Sequence, residues 1–238
     1  MKRTLAKLLI MLILTGGCKT DAPPRIFLCF IDYSLSASTF EEKNQKRLLD
    51  RINRIWSKDM KITETLLVYP IHLLTETAST LFRCIKPVPP GDLTAQAAIA
   101  ESLDQFQREV SEGIFGKTNI SNEVRRGTNL YAVLRKIERK CNKSKTRVLI
   151  VSDMIHEFED EELNVIFSKE NPPSPREFAN TKCQELGMVG KLVNAEVSIL
   201  IPGTANGDIN DELIRPHIIT FWEELFTLAG ASVQVEDL

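Results

Sequence analysis

An aspartate and two serines at alternate positions, Asp32, Ser34 and Ser36, are the residues of this sequence best suited to hold a ligand. They follow the apolar run 26–31, whose aromatic and β-branched residues are typical of a strand buried on both faces. Open α/β sheets bind ligands at the ends of such strands. One carboxylate with neutral hydroxyls suits a small hard cation, Mg²⁺ first, with Mn²⁺ or Ca²⁺ as alternatives. The competing interpretation is an ordinary turn, because Asp and Ser also satisfy backbone groups where strands end.

Two later segments carry matching chemistry. The run 148–153 is a second buried-strand pattern, and it ends in Asp153. The segment 126–130 lies between the two strands and opens a stretch with apolar residues at helical spacing. Gly127 permits a tight turn there, and Thr128 is placed at the start of the helix with its hydroxyl free to point at a neighbour.

In order and context these residues resemble the metal-ion-dependent adhesion site of von Willebrand factor type A (vWA) domains. The matching positions are Asp32, Ser34, Ser36, Thr128 and Asp153. The resemblance extends from about residue 25 to the C-terminus. It implies that the two serine hydroxyls contact the ion, that the threonine binds it directly or through water, and that both aspartates act largely through water. The ion then keeps a vacant position that attracts an acidic side chain of a partner protein.

The chain departs from the vWA pattern at two positions. The family often has glycine after the second aspartate, where this chain has Met154, which predicts a less tight turn. The glycine pair common before the threonine is here Arg126-Gly127. Neither change removes an oxygen ligand, so the metal site remains the prediction.

Apolar runs and helical periodicities alternate along the rest of the chain, and they predict a single α/β domain with a doubly wound, mostly parallel sheet flanked by helices (vWA or Rossmann-like). Further strands are predicted at 64–74, 80–85, 195–201 and 231–235. Helices are predicted at 39–60, 93–115 and 211–229, together with one that begins at 130 and a separate one that ends near 187. The vWA resemblance implies the strand order 3-2-1-4-5-6. Asp32 and Asp153 then end neighbouring strands at the topological switch point.

The N-terminus predicts export and lipid anchoring. Residues 1–17 combine a basic start, a short apolar run and small residues before Cys18, as in a bacterial lipoprotein signal peptide. Cys18 is the predicted lipidated residue, 18–24 a short linker and 25–238 the folded domain. Three residues before the cysteine, where an aliphatic residue is usual, this chain has Thr15. An ordinary signal peptide and an uncleaved anchor remain the alternatives.

Several features bound the location and the partners. Lys19 replaces the aspartate that retains lipoproteins in the inner membrane, which favours the outer membrane if the cell has two. Removal of Lys2, Arg3 and Lys7 with the signal changes the formal net charge from -2 to -5, and this mild acidity offers no footprint for nucleic acid. The expected location is therefore the bacterial cell envelope.

Four further cysteines leave the disulfide pairing open. An even number in an exported protein allows two bridges with three pairings. Cys29 lies within the first strand and is predicted to be a core thiol, which leaves one bridge among the others. These are Cys84, Cys141 and Cys183. The histidines at 72, 156 and 217 are scattered and are predicted to be structural.

The predicted function is divalent-cation-dependent protein–protein interaction rather than catalysis. One alternative is a phosphohydrolase of the haloacid-dehalogenase-like type, with Asp32 as nucleophile, Thr128 on phosphate and Asp153 on metal. That family places its acid two residues after the nucleophile, where this chain has Ser34. The other alternative is a vWA scaffold with no metal bound. The acidic stretch 157–162 is interpreted either as a charged rim of the site or, more simply, as a solvated loop.

Overall fold

The computed structural model describes residues 25–34, 39, 42–55, 57, 60, 64–86, 104–116, 125, 127–141, 145–158, 161–202 and 209–237. Their strands are β1 (Ile26–Asp32), β2 (Thr65–Ile71), β3 (Phe82–Ile85), β4 (Thr146–Val151), β5 (Glu157–Phe158), β6 (Glu161–Glu162), β7 (Ala195–Ile201) and β8 (Ser232–Asp237). Their helices are α1 (Glu42–Arg54), α2 (Leu130–Cys141), α3 (Leu163–Phe167), α4 (Pro175–Glu185) and α5 (Ile209–Leu228). Residues 104–111 are also helical and continue into a π-helix at Glu112–Gly116.

Six strands form one sheet in the order β3-β2-β1-β4-β7-β8. All neighbours are parallel except β2 and β3, which form an antiparallel pair. The chain leaves β1 toward β2 on one side and reaches β4, β7 and β8 on the other. The crossover direction therefore reverses between β1 and β4, which is where open α/β sheets form a ligand crevice. The predicted fold class and strand order are confirmed.

Each face of the sheet carries its own core. Along β1, Phe27, Cys29 and Ile31 point to one face, where they pack with α1 and the helical segment 104–116. Leu28 and Phe30 point to the other, where α2, α3, α4 and α5 build the larger core. This burial on both faces explains why β1 is a continuous apolar run rather than an alternating one.

The predicted elements agree with the structure in kind and differ at their ends. The last two large strands were expected at 195–201 and 231–235, and they lie at Ala195–Ile201 and Ser232–Asp237. The helix predicted at 39–60 is helical from Glu42 to Arg54 as α1. The first part of the helix predicted at 93–115 lies outside the described residues. The short β5–β6 ribbon was not predicted, because two-residue strands leave no periodic pattern.

The four cysteines of the described residues are free thiols. Cys29 is buried in the core of the α1 face as predicted, and burial raises the pKa of its thiol to about 12. The bridge expected among the remaining three is not formed. Within the described part of the chain, no helix is both long enough and apolar enough to cross a bilayer. Cys18 lies outside that part, so lipidation stays a prediction.

Candidate metal centre

Asp32 ends β1 as a fully buried carboxylate. Its Oδ1 accepts a hydrogen bond from the Ser34 amide at 2.8 Å, and its Oδ2 accepts one from the Ser152 hydroxyl at 2.5 Å. Burial raises the pKa of this carboxyl, and these hydrogen bonds oppose the rise. Among the described residues, no Lys, Arg or His forms an ion pair with it. Asp32 is thus held by hydrogen-bond dipoles, with no cationic side chain paired to it in the described part of the chain.

Ser152 is the residue of this site that the sequence analysis missed. Its hydroxyl donates to Asp32 and accepts a hydrogen bond from the Met154 amide at 2.9 Å. It therefore ties the end of β1 to the turn that follows β4. No local pattern pointed to it: Ile31 pairs with Val151, and only this register makes the residues that follow, Asp32 and Ser152, neighbours at the strand ends.

Thr128 places a buried hydroxyl that is not used by the fold. The residue is fully buried, and within the described part of the chain its Oγ1 has no hydrogen-bond partner. Its backbone is fixed by Glu157 through two hydrogen bonds of 3.0 Å each. The next residue, Asn129, caps α2 by accepting from the Ala132 amide at 3.0 Å, which leaves the threonine hydroxyl free of that task. A buried polar atom without a partner is costly, which marks this hydroxyl as a ligand candidate.

Gly127 is required by a close approach. A Cβ at this position would lie 2.5 Å from Leu73 Cδ2 and 2.6 Å from the Glu157 carbonyl oxygen. Any larger residue would therefore displace the strand pair that fixes Thr128. The sequence analysis assigned this glycine to a tight turn; the structure shows that it allows the Leu73 side chain and the Glu157 carbonyl to approach closely. Arg126 lies outside the described residues.

Asp153 begins the turn after β4 and is almost fully buried. Its Oδ1 accepts a hydrogen bond from the Ile155 amide at 3.1 Å. Met154 has a φ of 63°, the left-handed conformation that glycine adopts without strain. The indole of Trp222 donates to the Met154 carbonyl at 2.9 Å and helps to hold this conformation. The turn expected to be less tight without glycine thus keeps the backbone conformation that a glycine would favour.

The described residues of the acidic stretch, 157–158 and 161–162, form the β5–β6 ribbon, and most of them are partly buried. Glu161 accepts a hydrogen bond from the Tyr131 hydroxyl and forms an ion pair with Lys182 at 2.6 Å. His156, just before the ribbon, is buried, and its Nδ1 accepts from the Leu130 amide at 3.2 Å. Burial lowers the pKa of this histidine to about 4. It is therefore neutral at pH 7 and, as predicted, structural.

The structure places three of the predicted site residues at the ends of two neighbouring strands. Asp32 ends β1, Ser34 lies just after it, and Asp153 follows the neighbouring strand β4. Thr128 is paired through its backbone with Glu157, whose pKa is raised in part by the charge of Asp32. Ser36 lies outside the described residues. In the part of the chain that the structure describes, no three His, Cys, Asp or Glu side chains are grouped so that they could hold a metal. An ion here would depend on hydroxyls and water as well as carboxylates, and the buried, unused Thr128 hydroxyl fits that chemistry.

No protein-family model and no curated protein matches this chain. The chain is similar to human COPII-coat protein Sec24c, with 11% identity and a TM-score of 0.45 over 92% of this chain and 30% of that chain. It is also similar to the SpRpn10 VWA domain, with 8% identity and a TM-score of 0.39 over 90% of this chain and 88% of that chain. A third similar structure is the pilus adhesin SpaC from Lactobacillus rhamnosus GG in its open conformation, with 11% identity and a TM-score of 0.41 over 92% of this chain and 29% of that chain. The chain thus spans less than a third of the Sec24c and SpaC chains. These likenesses concern the fold alone, and the doubly wound topology itself rests on the strand order.

Proposed function

We propose that this protein is a lipid-anchored vWA-like domain that mediates divalent-cation-dependent protein–protein interaction at the bacterial cell envelope. The cation is Mg²⁺, replaceable by Mn²⁺ or Ca²⁺, and the partner is a protein that presents an acidic side chain. Cys18 carries the anchor. Binding, rather than catalysis, is the activity of the domain.

The observation that carries this proposal is that a buried carboxylate has no cationic partner and a buried hydroxyl has no hydrogen bond in the same part of the predicted site. Asp32 is a buried carboxylate without a cation among the described residues, and the Thr128 hydroxyl is buried without a hydrogen bond. Both features raise the free energy of the folded chain. A hard divalent cation would relieve both at once, because it supplies positive charge and accepts hydroxyl and water ligands.

The residues would divide the work as follows. Ser34, Ser36 and Thr128 would supply neutral hydroxyl ligands. Asp32 and Asp153 would supply negative charge and orient bound water. When bound, the cation acts as a Lewis acid for one further carboxylate. Ser152 keeps Asp32 oriented through its hydroxyl, 2.5 Å from Oδ2.

The environment of Asp32 also argues against the phosphohydrolase alternative. A carboxylate nucleophile must reach a phosphorus atom, yet Asp32 is fully buried and both of its oxygens accept hydrogen bonds. The position of the general acid in that family is held by Ser34, whose hydroxyl is no proton donor near neutral pH. These features favour a binding site.

Cation binding is tested with the full chain in detergent. Calorimetry should detect Mg²⁺ or Mn²⁺ binding, and a pull-down from envelope extract should retain a partner with cation and lose it in EDTA. Thr128→Ala should lose both while unfolding as cooperatively as the wild type; Thr181→Ala, an exposed helix hydroxyl, is the matched control. A partner retained equally in EDTA, or wild-type protein without cation binding at millimolar concentration, would contradict the proposal. Robust phosphate-ester turnover that Asp32→Ala abolishes would favour the enzyme instead.

Anchoring is tested separately. Cys18→Ser should move the protein from the detergent-requiring membrane fraction to the soluble fraction, or leave the precursor uncleaved. The lipid chains supply about 0.8 kcal/mol per buried CH₂, so the folded domain itself need not touch the bilayer. A mature N-terminus elsewhere, with no acyl mass on Cys18, would refute the lipoprotein assignment without affecting the cation site.

A further inference from the structure

Glu157 lies opposite Thr128 in a single antiparallel pair. The two residues exchange both backbone hydrogen bonds, each 3.0 Å long. Side chains directly opposite in such a pair project from the same face, with Cβ atoms about 5 Å apart. The Glu157 carboxylate therefore projects to the side on which the unused Thr128 hydroxyl is buried.

The ribbon divides the acidic stretch between two faces. Glu157 pairs with Glu162 and Phe158 with Glu161, so the two pairs project to opposite sides. The contacts agree: Glu161 meets Tyr131 and Lys182, and the ring of Phe158 lies 6.4 Å from that of His156. Only the first pair shares the face of Thr128.

Solvent exposure increases along this row of side chains. Thr128 is fully buried, Glu157 is half-buried and Glu162 is exposed. The pKa of Glu157 is raised by burial first, then by the negative charges of Glu162 and Asp32. The negative charge of Asp32 thus acts on Glu157, which is less buried than Thr128 and less exposed than Glu162.

We propose that Glu157 regulates the cation site as an internal competitor of the partner. Its carboxylate strengthens cation binding by adding negative charge beside the ion, and it weakens capture of an outside carboxylate because it occupies the approach to the same ion. This inference rests on the proposed function. It predicts two effects of opposite sign from one substitution, which a merely structural role would not produce.

The first measurement uses Mn²⁺ alone on the full chain in detergent. Glu157→Gln keeps the shape and the backbone pair but removes the charge, so Mn²⁺ affinity by calorimetry should fall about fivefold. Glu162→Gln, one strand further out on the same face, is the matched control and should change the affinity less than about twofold. Glu157→Asp should retain most of the wild-type affinity. Equal Mn²⁺ affinity in Glu157→Gln and wild type would overturn the inference and leave the proposed function intact.

The second measurement uses acetate on the Mn²⁺-loaded protein, followed by the water-proton relaxation of the bound ion. Acetate should bind Glu157→Gln about fivefold more tightly than wild type, because repulsion and competition are both removed. Acetate affinity that is unchanged or weaker would overturn the inference. Absence of Mn²⁺ binding by the wild type would instead overturn the proposed function, and with it this inference.

Discussion

The two ends of the parallel sheet each bury a carboxylate, and they satisfy it differently. Glu64 precedes β2 at one end, with its side chain 1% exposed, and receives an ion pair from Arg147 at 2.6 Å. Asp32 ends β1 at the other end, fully buried, and receives hydrogen bonds from Ser34 and from the Ser152 hydroxyl but, within the described residues, no ion pair. Burying a carboxylate costs several kcal/mol unless a positive charge accompanies it.

The two ends differ in whether the chain itself supplies a cation for the buried carboxylate. At the Glu64 end the protein supplies its own cation, so that end is complete as folded. At the Asp32 end, within the described residues, it supplies dipoles alone, and the neighbouring Thr128 hydroxyl is left unused. That end is also the switch point between β1 and β4, where open α/β sheets bind ligands. The contrast locates the proposed cation site without reference to any other protein.

Substitution of Asp32 should give the largest effect on binding. Asp32→Asn keeps the shape and removes the charge, so Mg²⁺ and Mn²⁺ affinity should fall about 100-fold or more. The unfolding free energy without metal should not fall, because burial already disfavours the charged form. Calorimetry and urea denaturation in EDTA measure the two quantities. A variant that binds cations normally, or that is destabilised without metal, would contradict the contrast between the two ends.

Substitution of Arg147 should show the opposite behaviour. Arg147→Met removes the ion pair with the buried Glu64 and should lower the unfolding free energy by about 2–3 kcal/mol, while Mn²⁺ affinity stays unchanged. Lys145→Met is the matched control, since its ion pair with Glu196 is exposed and should contribute less than about 1 kcal/mol. Urea denaturation measures both. A loss no larger than in the control would show that Glu64 needs no paired charge.

The pH dependence of the unfolding free energy should reflect the protonation of His156. This histidine does not supply a positive charge to Asp32. Its pKa is lowered from 6.5 to about 4, so protonation favours the unfolded chain. Its contribution is complete above about pH 6.5 and is lost as the pH falls toward 4, about 2 kcal/mol being gone at pH 5. His156→Asn, which can still accept from the Leu130 amide, should lose correspondingly less stability between pH 7.5 and 5. Parallel losses in the two proteins would mean that this histidine is protonated in the folded state.

Removal of the Ser152 hydroxyl should have the smallest effect. Ser152→Ala takes away the donor to Asp32 Oδ2 and should weaken Mn²⁺ binding about tenfold by loosening that carboxylate. Ser152→Thr keeps the hydroxyl and should recover most of the affinity. Ser168→Ala, on an exposed serine whose hydroxyl donates to Val165, is a control that should leave binding unchanged. Equal affinity in Ser152→Ala and wild type would remove this serine from the site.

The strands that carry the site could be predicted because their signal is local. A strand buried on both faces is a continuous apolar run, and the polar residues that end it are adjacent in sequence, as at Asp32 and Asp153. The capped start of α2 is likewise a property of a few consecutive residues. Ser36 and Cys18 lie outside the described residues, and they stay predictions.

The contacts between residues distant in sequence could not be predicted in the same way. Ser152 meets Asp32 across 120 positions, and Arg147 meets Glu64 across 83. Each depends on the register in which β1, β2 and β4 pair, and a local pattern carries no information about register between strands separated by whole helices. The sequence by itself therefore determined the fold class and which strand ends are polar. The packing of the chain determined that one buried carboxylate has its cation, that the other lacks one among the described residues, and that Glu157 pairs with Thr128.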